Sequence, residues 1–184
     1  MKYFTSLTIP IFATILASCS LFPSQKSMNT QPIIIPENAK VATFAGGCFW
    51  CLQPSFDAEP GVVDTVVGYA GGKVANPTYE QVLTETTGHR EAIQVAYNPD
   101  QVSYERLVEI FFHQIDPTDA GGQFADRGES YTTAIWYQNN EEKNTAENFI
   151  QKLNASKKFD TPVAVEVLPF TNFYPAEEYH QDYY

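Results

Sequence analysis

The chain has 184 residues, 43% of them hydrophobic and 14% aromatic, enough for one ordinary domain with a sizeable core and unlike a disordered chain. Its 11 basic residues against 22 acidic ones leave a net charge of −11, which argues against nucleic-acid binding and against a polybasic membrane patch, since both need cations to meet phosphate. Three cysteines (Cys19, Cys48 and Cys51) are too few for a disulfide scaffold, and His89, His113 and His180 are too scattered to complete a structural zinc site.

In chain order, the N-terminus reads first as a leader. Lys2 supplies one positive charge, and residues 4–17 form an apolar run too short to span a bilayer but suited to a secretory h-region. The run ends in Leu16-Ala17-Ser18-Cys19, which resembles the lipobox of bacterial lipoproteins, where small residues precede a cysteine that is lipidated and becomes the new N-terminus. The plainer alternative is a cleaved signal with an incidental cysteine. The resemblance implies a signal peptide over residues 1–18 and membrane attachment through lipid on Cys19 rather than through charge. It also implies an exported protein facing the periplasm or extracytoplasmic space; Ser20, where an aspartate would retain an inner-membrane lipoprotein, favours the outer membrane of a Gram-negative cell. Residues 19–38 carry Pro23, Pro32, Pro36 and many small polar residues and read as a tether, with Ile33-Ile34-Ile35 as a short extended arm packed on the domain.

The rest, residues 39–184, reads as one domain without repeats. Residues 40–45 predict a buried strand, followed by Gly46-Gly47 and a helix beginning near Cys48. Residues 62–70 predict a strand, 78–84 a short helix and 92–97 an alternating strand. Ser103 can cap a helix whose Leu107, Val108, Phe111 and Phe112 form one apolar face. Residues 132–137 predict a strand, and Asn139 with Glu142 starts a helix running to about Asn154. Residues 163–168 predict a last strand, and a short helix follows Pro175. Strands and helices alternate, so the class is α+β (α/β) with one mixed sheet.

The chemistry concentrates in Gly46-Gly47-Cys48-Phe49-Trp50-Cys51. Two glycines after a strand permit a tight turn, which puts Cys48 in the first turn of a helix. Free N–H groups and the helix dipole there are expected to lower its pKa. Cys51 lies on the same helical face, at a Cβ separation of about 5–6 Å against the ~3.5–4.5 Å of a disulfide. The pair therefore suits reversible oxidation, with two structural thiols as the plainer alternative. Phe49 and Trp50 between the cysteines could wall an apolar pocket for a methyl or thioether group, or simply pack in the core.

GGCFWC, GYAGG (68–72), NPTYEQV (76–82), TGHRE (87–91), GQFADRG (122–128) and FYPAEEYHQDY (173–183) occur in that order. Together they resemble the peptide methionine sulfoxide reductase A family over the whole domain from about Val41 onward. The resemblance implies a two-layer sandwich with a central mixed β-sheet and a ferredoxin-like (plait) core. It implies that Cys48 is the nucleophile that attacks the sulfoxide sulfur, and that Glu91 is the acid that protonates the departing oxygen, which requires a raised pKa. Tyr79 and Tyr131 match the phenols that hydrogen-bond that oxygen, Phe49 and Trp50 the cage around the substrate methyl, and Asp126 a carboxylate that positions substrate. His89 is expected to support the fold.

By the same resemblance, Cys48 becomes a sulfenic acid, Cys51 condenses with it, and a thioredoxin-like external dithiol reduces the disulfide. Substrates would be free methionine-S-sulfoxide or oxidised proteins, with no metal or organic cofactor. Three departures stand out. Many members have Gly where this chain has Cys51, and resolve with later cysteines that are absent here. The common Q-Y-R is Ser130-Tyr131-Thr132, and many members continue past the final Tyr-Tyr, so a covering segment is expected to be missing. The rival readings are a general thiol–disulfide oxidoreductase and a binding module with a structural disulfide.

Overall fold

The computed structural model describes Met1 and residues 37–184; the leader, Cys19, the isoleucine arm and all but the last two residues of the tether lie outside them. The fold is built on strand alternation. In β1 (Lys40–Ala45), Ala42 and Phe44 point to one face of the sheet while Thr43 and Ala45 point to the other, and all four are buried. The Gly46-Gly47 turn leads into α1 (Phe49–Asp57), and the chain returns as β2 (Val62–Ala70), whose apolar residues are interrupted only by Asp64-Thr65 and Gly68. One turn of helix, α2 (Tyr79–Val82), is fixed by a reciprocal cap between Thr78 and Gln81. β3 (Arg90–Tyr97) then pairs antiparallel with both β1 and β2. Its pairing with β2 is irregular at one end, where Val63 is an extra residue between the partners of Tyr97 and Ala96.

α3 (Tyr104–His113) starts at Ser103, whose hydroxyl accepts from the Arg106 N–H, and it buries Leu107, Val108 and Phe111 completely. A two-residue-per-strand hairpin follows, β4 (Gly122–Gln123) and β5 (Asp126–Arg127), then a 3-10 turn at Glu129–Tyr131. β6 (Ala134–Tyr137) lies antiparallel to β1. α4 (Asn140–Ala155) is capped by Asn139, whose side chain accepts from the Glu142 N–H, and crosses to β7 (Glu166–Pro169), parallel to β6. β8 (Phe173–Pro175) joins the far edge beside β2, and a 3-10 turn at Glu178–His180 precedes the last four residues.

The six-stranded sheet runs β7-β6-β1-β3-β2-β8. Its inner four strands, β6-β1-β3-β2, with α1 and α3 as the crossovers, are the plait expected from the sequence. On the helical face, Phe44 stacks between Phe56 and Phe111 at ring-centroid distances of 5.3 and 5.2 Å, which joins sheet, α1 and α3 into one core. The opposite face is lined by Ala45, Ala70, Ala92 and Ala134, small enough to lie under the incoming Leu168, Phe170 and Phe173, with Trp136 buried beside them.

The elements differ from the sequence expectations in four places. Thr132 and Thr133 do not extend β6, because Thr132 N–H closes the preceding turn on Glu129 O. The strand expected from residue 163 begins at Glu166, since Ala164 N–H bonds Pro117 O at 2.7 Å instead of a sheet partner. The helix expected after Pro175 is only a 3-10 turn. β8 was not foreseen; it fits because Gly68 has no side chain, and a Cβ there would lie 2.3 Å from Tyr174 O.

Candidate active site

Gly47 sits at φ +80, and a Cβ on it would lie 2.5 Å from the Gln123 Cβ, so this turn needs glycine on both counts. The turn delivers Cys48, half-buried, to the N-cap of α1, one position before the first helical residue. Cys51 is exposed, its N–H bonded to Cys48 O at 3.0 Å, and both thiols are free.

The electrostatics of Cys48 are the opposite of what the helix start predicts. Burial and then the charge of Glu91 push the thiol up to about 12, and the opposing N–H groups of Trp50 and Cys51 do not offset them. The expected lowering by the helix terminus is therefore corrected: two amide dipoles are outweighed by desolvation and a neighbouring carboxylate.

Glu91 is the second residue of β3 and points to the helical face, 2% exposed. Burial raises it to about 7; Asp126 adds to the rise, while the Phe49 N–H (3.1 Å to Oε2) and the Tyr131 hydroxyl hold it down. The carboxyl can thus carry or give up a proton near neutral pH. Tyr79 at the start of α2 and Tyr131 in the 3-10 turn are brought together, each raised by burial and then by the Glu91 charge, and each acting on the other. Asp126, on β5, acts on all three. A cleft of about 400 Å³ opens over Cys48 and Cys51, with Gln114, Asp116, Gln123 and Asp126 among its walls. Among the described residues no group of His, Cys, Asp and Glu could hold a metal ion.

The two aromatic residues between the cysteines separate in role. Phe49 is buried, its ring packed on Tyr69 and His180 at 6.2 and 5.3 Å. Trp50 is half-buried, stacked on Tyr183 at 4.2 Å, with its indole N–H donating to His180 O at 3.0 Å. His89, as expected, serves the fold: Nδ1 accepts from the Gly72 N–H at 3.1 Å and the ring is buried.

Sequence reading missed how the last turns complete this site. Glu177 accepts the Tyr69 hydroxyl at 2.8 Å and the Tyr79 N–H at 2.9 Å. Burial works against its charge, but the N–H groups of Tyr79 and of Glu177 itself and the Tyr69 hydroxyl outweigh it and hold the carboxyl below its ordinary range. His180 is buried against Tyr79 and Trp50, with ring centroids 4.5 and 5.3 Å apart. Gln53 exchanges two 3.1 Å bonds with Asp182, and Gln181 bonds both the N–H and the carbonyl of Val67. The segment is docked, and the only signal of this was the HQDYY motif. Ser130, where Gln is usual, is also accounted for: its N–H and hydroxyl both donate to Glu85, at 2.9 and 2.7 Å, which fixes the turn that carries Tyr131.

A plait domain that holds a half-buried thiol over a protonatable buried acid, with a second thiol exposed beside it, is a cysteine-dependent oxidoreductase. The model of the peptide methionine sulfoxide reductase family matches residues 40–184, and the chain belongs to that family. It is similar to the peptide methionine sulfoxide reductase MsrA of Bacillus licheniformis, 54% identical over 148 residues, 80% of this chain and 82% of that protein. Among solved structures, Mxr1 from Saccharomyces cerevisiae in reduced form is 31% identical, covering 80% of this chain and 85% of Mxr1 at a TM-score of 0.74. Mxr1 in complex with Trx2 matches at 25% identity over 81% of this chain and 87% of Mxr1, at a TM-score of 0.55.

Proposed function

We propose that the chain reduces methionine-S-sulfoxide, free or in oxidised proteins, to methionine, and so repairs oxidised proteins. The observation that carries this reading is Glu91, a buried carboxyl raised to about 7 beside Cys48. Cys48 sulfur attacks the sulfoxide sulfur while Glu91 delivers a proton to the oxygen. The substrate's sulfur–oxygen bond breaks, its oxygen passes to the Cys48 sulfur as the transient sulfur–sulfur bond gives way, and methionine leaves with Cys48 as a sulfenic acid. Tyr79 and Tyr131 donate to the oxygen as charge builds on it, Trp50 and the Phe49 ring behind it wall the methyl group, and Asp126 helps position substrate. Cys51 sulfur then attacks Cys48 sulfur, water leaves, and a disulfide forms. An external dithiol takes the disulfide and returns both thiols. No metal or organic cofactor takes part. A thioredoxin-type reductant is supported by the complex of the related Mxr1 with Trx2.

The test is methionine release by the full-length chain from methionine-S-sulfoxide, with dithiothreitol and with a thioredoxin system. Turnover by wild type, none by Cys48→Ser, and one equivalent by Cys51→Ser without small thiols are expected. A general disulfide exchanger would instead reduce a protein disulfide and leave the sulfoxide untouched.

We also propose that residues 1–18 are a leader and that lipid on Cys19 anchors the catalytic domain, residues 39–184, through the 19–38 tether to the extracytoplasmic side of a membrane. The Leu-Ala-Ser-Cys sequence after an apolar run supports this. Mass spectrometry of the membrane fraction is expected to find an acylated N-terminal Cys19; an unmodified Cys19 in a soluble product would overturn it.

A further inference from the structure

One part of the GQFADRG motif has no place in the chemistry above: the turn of the β4–β5 hairpin. Phe124 at its tip is 97% exposed and sits at φ +51, a conformation that favours glycine or asparagine over an aromatic residue. Neither burial nor backbone preference explains a phenyl ring there. The hairpin beneath it is braced by side-chain bonds at both strands. The Gln123 side chain accepts the Asp116 N–H at 2.7 Å and donates to Asp116 O at 3.0 Å, and Arg127 pairs with Asp119 at 2.5 Å. The Gln123 Cβ packs against Gly47, so the tip is fixed relative to the cysteines.

Phe124 also stands on the rim of the cleft that contains Cys48 and Cys51. The aromatic group of Trp50, Tyr79, His180 and Tyr183 does not line this cleft, which separates it from the wall proposed for the substrate methyl. Of the two sulfurs in a Cys48–Cys51 disulfide, Cys51 is the exposed one and therefore the one an incoming thiolate can reach. A protein that attacks it must lie on this side, against an exposed aromatic ring held in a fixed position, the usual form of an anchoring contact.

We infer that Phe124 is the docking contact for the dithiol protein that reduces the Cys48–Cys51 disulfide, a partner with an apolar surface around its own reactive cysteine. The inference rests on the proposed reaction. The partner's thiolate attacks Cys51 sulfur, the Cys48–Cys51 bond breaks, and Cys48 leaves as a thiolate that takes up a proton. The partner's second thiol then attacks the mixed disulfide and releases Cys51, so two electrons and two protons pass to this chain and the partner leaves as a disulfide.

The full-length chain and its Phe124→Ser and Phe124→Leu variants would be assayed with a bacterial thioredoxin and its reductase, and separately with dithiothreitol. Phe124→Ser should raise the KM for thioredoxin at least tenfold and Phe124→Leu should restore most of it. With dithiothreitol, both variants should match wild type in kcat and in KM for free methionine sulfoxide and for a methionine sulfoxide peptide. A thioredoxin KM within twofold of wild type in Phe124→Ser would overturn the inference. So would a loss confined to the peptide substrate, which would assign the ring to oxidised protein instead. Wild type inactive with dithiothreitol would sink the proposed reaction itself, and the inference with it.

Discussion

The backbone N–H of Phe49, the residue after Cys48, donates to the Glu91 carboxylate at 3.1 Å. The thiol and the acid are thus linked through a single peptide unit. The carboxylate raises the thiol, and burial raises both. Replacing Glu91 with Gln keeps an acceptor for the Phe49 N–H but removes the charge and the proton. Turnover is expected to fall about 10²–10⁴-fold, while alkylation of Cys48 by iodoacetamide at pH 8 becomes faster than in wild type. Slower alkylation in Glu91→Gln would show that the carboxylate does not raise the thiol.

The same acid sets a pH limb. With Glu91 titrating near 7, dithiothreitol-supported kcat should decline as pH rises through that value, because the proton donor is lost. A kcat that stays level from pH 6 to pH 9 would rule Glu91 out as the donor.

Stability should follow the same group with a definite sign. The folded-state value of Glu91 lies above its ordinary value of 4.5, so the native state holds this proton more tightly than the unfolded chain does. The contribution is fully present below about 4.5, falls away as pH rises to about 7, and is flat beyond. Glu91→Gln should therefore gain stability relative to wild type between pH 4 and pH 8, by on the order of 3 kcal/mol. Denaturant melts of both proteins at the two pH values measure the difference; a gap that does not widen with pH would contradict it.

Gly47→Ala forces a side chain into a left-handed backbone and against Gln123. A loss of about 1–3 kcal/mol is expected, with kcat reduced because the turn that moves is the one carrying Cys48. Thermal melting and dithiothreitol-supported kinetics check this together.

Glu177→Ala leaves the buried Tyr69 hydroxyl without its acceptor, at a cost of about 1–3 kcal/mol, and frees the Tyr79 N–H. Adding Tyr69→Phe should recover part of the stability. The KM for methionine sulfoxide should rise in Glu177→Ala and stay high in the double variant, since only the Tyr79 bond bears on the site. A KM equal to wild type would confine Glu177 to the fold.

The parts legible in the sequence are those decided locally. β1 and β2 were readable to the residue because apolar runs end there in glycine, and the starts of α3 and α4 because Ser103 and Asn139 cap their helices. The hidden parts depend on residues far apart in the chain. A helix start says a thiol is acidified; only the fold puts burial and Glu91 beside Cys48 to reverse it. β8 is three residues ending in proline, and its place exists because Gly68 leaves room on a neighbouring strand. Glu177 and His180 carried a family motif but no local sign of which atoms they hold.

The extra Val63 near the start of β2 spends its effect at that end of the strand. Val62 faces Tyr97 and Asp64 faces Ala96, so the added residue is absorbed before regular pairing begins. From Asp64 to Ala70 each residue has one partner on β3, and paired residues share a side of the sheet. Tyr69 therefore stands beside Glu91, on the side where its hydroxyl meets Glu177. Deleting Val63 would join Val62 directly to Asp64 and leave that pair in register. The surroundings of the acid are insulated from insertions at the strand's entrance.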